Sequence, residues 1–149
     1  MDGLIRKQIK EVYSAMSKIT GLYGIWAKEH GLSYNALLVL YTMEEISNCT
    51  QKQICDRWLI PKQTVNTILA DFKEQGYVEF EIDKVNKREK IVRFTSLGQQ
   101  YATTILTKLH TIEETVMIKM GSNMCEQLVE ANNVYYDLFK KEIESKHNS

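Results

Sequence analysis

Five polar residues within a run of six, Lys62, Gln63, Thr64, Asn66 and Thr67, form the segment of this chain best equipped to recognise a hydrogen-bonding partner. A glutamine or asparagine amide places a donor beside an acceptor and can bridge an adenine edge. Threonine can bond or touch a thymine methyl, and lysine can neutralise a phosphate. A second cluster, Lys84, Lys87 and Arg88 with Lys90 and Arg93 behind it, is offset in sequence only by Asp83 and Glu89. Cations so grouped suit phosphates, because each contact releases counterions. Residues 50–95 hold nine basic and seven acidic side chains, a net of +2, whereas residues 1–49 balance and residues 96–149 carry a net of −2. The positive charge therefore collects around the two clusters. Charged hairpin loops are also common as plain solvated features, and a net of +2 persuades only in context.

Other chemistries find little support. No phosphate-cradling glycine loop, HExxH or GxSxG motif or outstanding carboxylate pair occurs, so an enzyme is not expected. His30, His110 and His147 are far apart, His147 in a tail expected to fray, and neither a metal nor another cofactor is expected. Three cysteines, Cys49, Cys55 and Cys125, form no CxxC and no disulfide framework. Cys55 and Cys125 read as small buried hydrophobes. Cys49, placed in a loop after Asn48, is the best candidate for a reactive thiol.

The elements that must position these residues are legible from periodicity. One proline and seven glycines in 149 residues leave long uninterrupted stretches, and the chain reads as mostly α. Ile5, Ile9, Val12, Met16, Ile19, Tyr23 and Trp26 step by fours and threes along a first helix of roughly six turns. Ser33 has the side chain of an N-cap for a second helix to about Ile46, carrying Leu37, Leu40 and Tyr41. Thr50 and Gln53 have the spacing of a capping box and open a short third helix. Pro61 fits the first position of a fourth, whose Val65, Ile68, Leu69 and Phe72 form its apolar side and which Gly76 ends. Residues 62–67 thus fall at the N-terminal end of a helix with one side buried.

Tyr77–Ile82 and Ile91–Phe94 alternate as two strands, joined by the exposed basic loop 83–90. Leu97, Tyr101, Ile105, Leu109, Ile112, Val116 and Met120 continue as a long helix. Gly121-Ser122 breaks it before a last one with Met124, Leu128, Ala131, Tyr135 and Leu138. There is no repeat and no low-complexity segment.

Composition is consistent with one folded domain of residues 1–149: 44% hydrophobic, 26% charged, and 19 basic against 19 acidic residues for a net charge of zero. No stretch suits a signal peptide or a bilayer span, so a cytoplasmic protein with no membrane partner is expected.

A short helix, a brief connection, a helix with a polar outer face and a basic hairpin together describe a winged helix-turn-helix. The chain resembles the MarR family of transcriptional regulators in Thr50–Cys55, Ile60–Leu69, Glu74–Val78, the hairpin, and Phe94-Thr95-Ser96-Leu97-Gly98. The resemblance covers nearly the whole chain. It implies a mostly α (α+β) fold, with a winged lobe at 33–95 that binds double-stranded DNA and dimerisation helices at 1–30 and 97–149. It further implies a homodimer on a pseudo-palindromic operator, acting as a repressor relieved by a small-molecule effector. Trp26, His30, Tyr34 and Tyr41 come from segments that could line the effector pocket.

This chain departs from the family in places. Family wings often read Asp-x-Arg-Asp-x-Arg. Asp83 and Arg88 keep the ends of that pattern, while Val85 replaces its first arginine and Asn86 its second aspartate. Thr67 stands where many members carry arginine. Modest affinity with strong salt dependence, or an operator read partly through shape, is the corresponding expectation. The cysteine near the start of the first helix with which some members sense oxidants is missing here. The rival reading is a winged-helix module that binds protein without specific DNA binding.

Overall fold

A computed structural model describes residues 3–147 as six helices and three short strands: α1 (Gly3–Glu29), α2 (Tyr34–Glu45), β1 (Cys49–Thr50), α3 (Gln51–Trp58), α4 (Lys62–Glu74), β2 (Val78–Ile82), β3 (Lys90–Phe94), α5 (Ser96–Met120) and α6 (Ser122–His147). They divide into two compact units, one ending at Leu106 and the other beginning at Thr107.

Caps set the helix boundaries in the first unit. The Ser33 hydroxyl accepts from the Ala36 N–H at the start of α2. Thr50 and Gln53 close the expected capping box, the Gln53 N–H donating to the Thr50 hydroxyl at 3.1 Å and the Thr50 N–H to Gln53 Oε1 at 2.8 Å. Pro61 is the N-cap of α4, not its first helical residue: its ψ of 141° is extended, so the helix begins at Lys62. Gly76, with φ +79°, follows the last turn of α4 in the left-handed region, as the sequence predicts.

The sheet corrects the expectation of two strands. Cys49–Thr50 adds a short third strand, giving the antiparallel order β1-β3-β2, with Cys49 opposite Val92 and Phe80 opposite Val92 on the other side. Two residues are too few for a period-two pattern to register. Around the sheet, Leu37, Val39 and Leu40 of α2, Ile54 of α3, Val65, Leu69 and Phe72 of α4, Val78, Val92, and Ala102, Ile105 and Leu106 of α5 are buried. Thr42 is the one buried polar side chain among the described residues. Its hydroxyl donates to the Leu38 carbonyl at 2.8 Å and accepts from the Trp58 indole at 2.5 Å, so its burial leaves no polar atom unmet.

A backbone crossing joins the end of α4 to the start of α5. The Thr95 N–H donates to the Tyr77 carbonyl at 3.0 Å, the Thr95 hydroxyl donates to the Gly76 carbonyl at 2.5 Å, and the Gly98 N–H donates to that hydroxyl at 3.0 Å. A Cβ on Gly98 would lie 1.8 Å from the Tyr77 carbonyl oxygen, a separation no side chain can occupy.

In the second unit, α5 continues to Met120, Gly121 turns with φ +83°, and α6 runs to His147, which closes the helix where the sequence suggested a frayed tail. No residue of α6 is buried. No helix among the described residues is long and apolar enough to cross a membrane.

Gly98→Ala should destabilise the fold by about 3 kcal/mol, since the new methyl meets backbone that cannot move aside without breaking the crossing. A denaturant titration checks this, and an unchanged midpoint would refute it.

Candidate nucleic-acid interface

The helix pair that carries the first polar cluster is held from below. Ile54 and Val65 are fully buried, and the turn between α3 and α4 is closed by Leu59 and Ile60, whose N–H groups both donate to the Cys55 carbonyl. Leu59 adopts left-handed backbone with φ 52° and is exposed, a conformation costly for a residue with a Cβ. Trp58 anchors the end of α3 to Thr42, packs edge-on to Tyr41, and carries the Arg57 guanidinium over its ring, while Arg57 pairs with Glu45 at 2.6 Å. The end of α3 is thereby fastened to the second half of α2.

On this base α4 presents its first two turns. Lys62, Gln63, Asn66 and Thr67 are exposed and Thr64 is half-buried, while Val65 and Leu69 point inward. Pro61 supplies no side-chain cap, so the first turn of α4 keeps the partial positive polarity that favours an anion. The Thr67 hydroxyl donates to the Gln63 carbonyl at 3.0 Å. Its proton is committed within the helix, and its methyl is what it can offer a thymine. On α3, Lys52 pairs with Asp56 at 2.6 Å, and that carboxylate holds the ammonium above its ordinary value.

The second cluster sits on the β2–β3 loop, where Lys84, Lys87 and Arg88 are all exposed. The loop closes on itself. The Val85 N–H donates to Asp83 Oδ1 at 2.9 Å, the Arg88 N–H to Asn86 Oδ1 at 3.3 Å, the Glu89 N–H to the Asn86 carbonyl, and the Asp83 N–H to the Glu89 carbonyl. Asn86 therefore still accepts the hydrogen bond an aspartate would take there. Val85 is 96% exposed at the tip.

The two remaining basic residues are engaged elsewhere, which corrects the reading that Asp83 and Glu89 alone oppose them. Arg93 pairs with Glu81 at 2.7 Å and donates from Nε to Asn48 Oδ1 at 2.8 Å. Lys90 lies 5.8 Å from the centre of the Phe80 ring, with Lys73 5.2 Å from it. The Arg93 contacts depend on strand register and on a left-handed Asn48, neither of which is legible before the hairpin is aligned.

Among the four aromatic candidates for a ligand site, Trp26 and His30 stack at 3.9 Å, with His30 Nδ1 donating to the Trp26 carbonyl at 2.8 Å. Tyr41 instead meets Trp58, and the Tyr34 Cβ lies where a side chain on Gly24 would touch it. No group of three or more His, Cys, Asp and Glu that could hold a metal occurs among the described residues.

Cys49 overturns the reading of a reactive loop thiol. It is fully buried in β1, and burial pushes its thiol up to about 11. Burial also raises Cys55, with Asp56 adding to the shift. Cys125 is only half-buried, its Sγ 3.4 Å from the Met117 carbonyl. Since only thiolate is nucleophilic, alkylation of Cys49 at pH 8 should proceed no faster than global unfolding, read by mass spectrometry of the modified peptide. As pH rises past about 9 the unfolded chain loses this proton before the fold does, so stability should fall between pH ~9 and ~11.

Residues 30–89 match the sequence profile of the MarR family. Among solved structures, a MarR family regulator from Neisseria meningitidis is 24% identical, covering 93% of this chain and 98% of its own, with a TM-score of 0.84. Staphylococcus aureus MarR in complex with salicylate and kanamycin is 18% identical over 93% of this chain and 94% of its own, with a TM-score of 0.72. Reduced AbfR bound to DNA is 20% identical over 91% and 93%, with a TM-score of 0.66. Likeness at these identities is a likeness of fold. No curated protein is significantly similar in sequence.

Proposed function

We propose that this chain, a winged helix-turn-helix protein whose residues 30–89 match the profile of the MarR family, is a sequence-specific DNA-binding transcriptional regulator that acts as a homodimeric repressor on a pseudo-palindromic operator. The observation that carries the reading is the exposed polar end of α4, mounted on a buried helix pair in the same unit as a self-closed basic hairpin. α4 has the length and polarity to enter a major groove, with Gln63 and Asn66 set against base edges and Lys62 against phosphate. Lys84, Lys87 and Arg88 are the phosphate and minor-groove contacts of the wing. The DNA-bound AbfR structure supports the same use of the fold.

Exposed apolar stripes support the homodimer. Ile5, Ile9, Val12, Met16 and Ile19 are exposed along α1, and Ile112, Val116, Leu128, Tyr135 and Leu138 along α5 and α6. Apolar surface of that extent marks an interface, and a second copy of the chain is the simplest cover. The salicylate complex of the staphylococcal relative supports a small-molecule effector, which we assign to the neighbourhood of Trp26, His30, Tyr34 and Tyr41.

The test begins with genomic fragments selected by the purified protein and sequenced, followed by anisotropy titrations of the best fragment across salt. Gln63→Ala should cost ~1–3 kcal/mol of operator affinity. Arg88→Ala should weaken binding and reduce the slope of log affinity against log salt by about one unit. Both variants should still sediment as dimers. Weak, unselective binding by the wild type at every salt concentration would refute the reading and favour a protein-binding module.

A further inference from the structure

Arg93 occupies an unusual place for a cation at the base of a DNA-binding wing. It lies opposite Glu79 in the β2–β3 register, yet its Nη2 reaches along the neighbouring strand to Glu81 Oε2 at 2.7 Å. Its Nε turns the other way and donates to Asn48 Oδ1 at 2.8 Å. Asn48 lies between α2 and β1 with φ 52°, a conformation asparagine tolerates better than most residues. One guanidinium thus ties β2, β3 and the α2–β1 turn together, and Glu81 is one residue from the end of β2, where the wing loop departs.

The Arg93 and Glu81 side chains are 42% and 41% exposed, and an ion pair that open to water contributes little to stability. Geometry is the stronger consequence. A planar guanidinium bonded at two positions fixes direction as well as distance, which a lysine at the same place would not do.

We propose that Arg93 is a positioning residue for the wing: with Glu81 and Asn48 it sets the angle at which the hairpin carries Lys84, Lys87 and Arg88, and it does not itself contact phosphate. This rests on the DNA-binding reading above. It makes a prediction opposite in sign to simple charge counting. If Arg93 only supplied positive charge, removing the Glu81 charge would release a cation, delete an anion and strengthen DNA binding. As a brace, Glu81 is needed for the wing to meet the backbone.

The experiment compares Glu81→Gln, Asn48→Gly, Arg93→Lys and Arg93→Gln with the wild-type protein on the selected operator. Asn48→Gly keeps the left-handed backbone accessible while removing the acceptor. Circular dichroism and thermal midpoints check that each variant is folded. Glu81→Gln should bind about three- to tenfold more weakly, and the double variant Glu81→Gln/Arg93→Gln no more weakly than Arg93→Gln alone, because both remove the same link. Arg93→Gln should keep the wild-type salt slope. Hydrogen exchange of the 83–89 loop in the free protein should be faster in Glu81→Gln and Asn48→Gly. Tighter binding by Glu81→Gln, or a slope about one unit shallower in Arg93→Gln, overturns the proposal. Should the wild type bind no DNA, the functional reading fails separately, and unchanged loop exchange in both variants would overturn the brace on its own.

Discussion

The absence of a side chain at Gly98 allows two segments far apart in sequence to cross in backbone contact. The end of α4 and start of β2 meet the end of β3 and start of α5 there, and Thr95 fills three hydrogen-bonding roles in the crossing. Both ends of the hairpin are fastened at this point, so its two strands leave with fixed register, and Val92 reaches the core between Cys49 and Phe80. Stacking of Tyr77 on Tyr101 at 4.1 Å continues the same junction into α5.

Much of this was legible from residue order alone. Helices announce themselves by periodicity and caps, and the Thr50–Gln53 box, the Ser33 cap and Gly76 are local features whose chemistry depends on a few neighbours. Phe94-Thr95-Ser96-Leu97-Gly98 contributed to the family likeness as a string, but its physical reason, the Tyr77 carbonyl beneath Gly98, is a contact across twenty-one residues. Strand β1 is not legible in the sequence, because two residues carry no pattern. Cys49 is hidden for the same reason: a residue after Asn48 looks like loop, and only pairing with Val92 shows it to be core.

Of the candidate interface, the exposed end of α4 and the basic loop follow from helical and hairpin geometry, so Lys62, Gln63, Asn66, Lys84, Lys87 and Arg88 can be placed at the surface from sequence. The partition of the cations could not. Nine basic residues between 50 and 95 look equivalent on a charge count, yet Lys52, Arg57 and Arg93 are bound to carboxylates, and Lys73 and Lys90 lie against an aromatic ring. Net charge overstates what such a lobe has free for a polyanion, and side-chain pairing decides which residues remain.

The self-closed wing loop carries a kinetic meaning. Because Asp83 and Asn86 satisfy the backbone N–H groups of Val85 and Arg88 before any partner arrives, part of the ordering that contact would demand is already made within the loop. Encounter with a polyanion then need not wait for a segment to order itself. On the DNA-binding reading proposed above, association would be governed by diffusion and field, and differences between operators would lie in how long the complex persists.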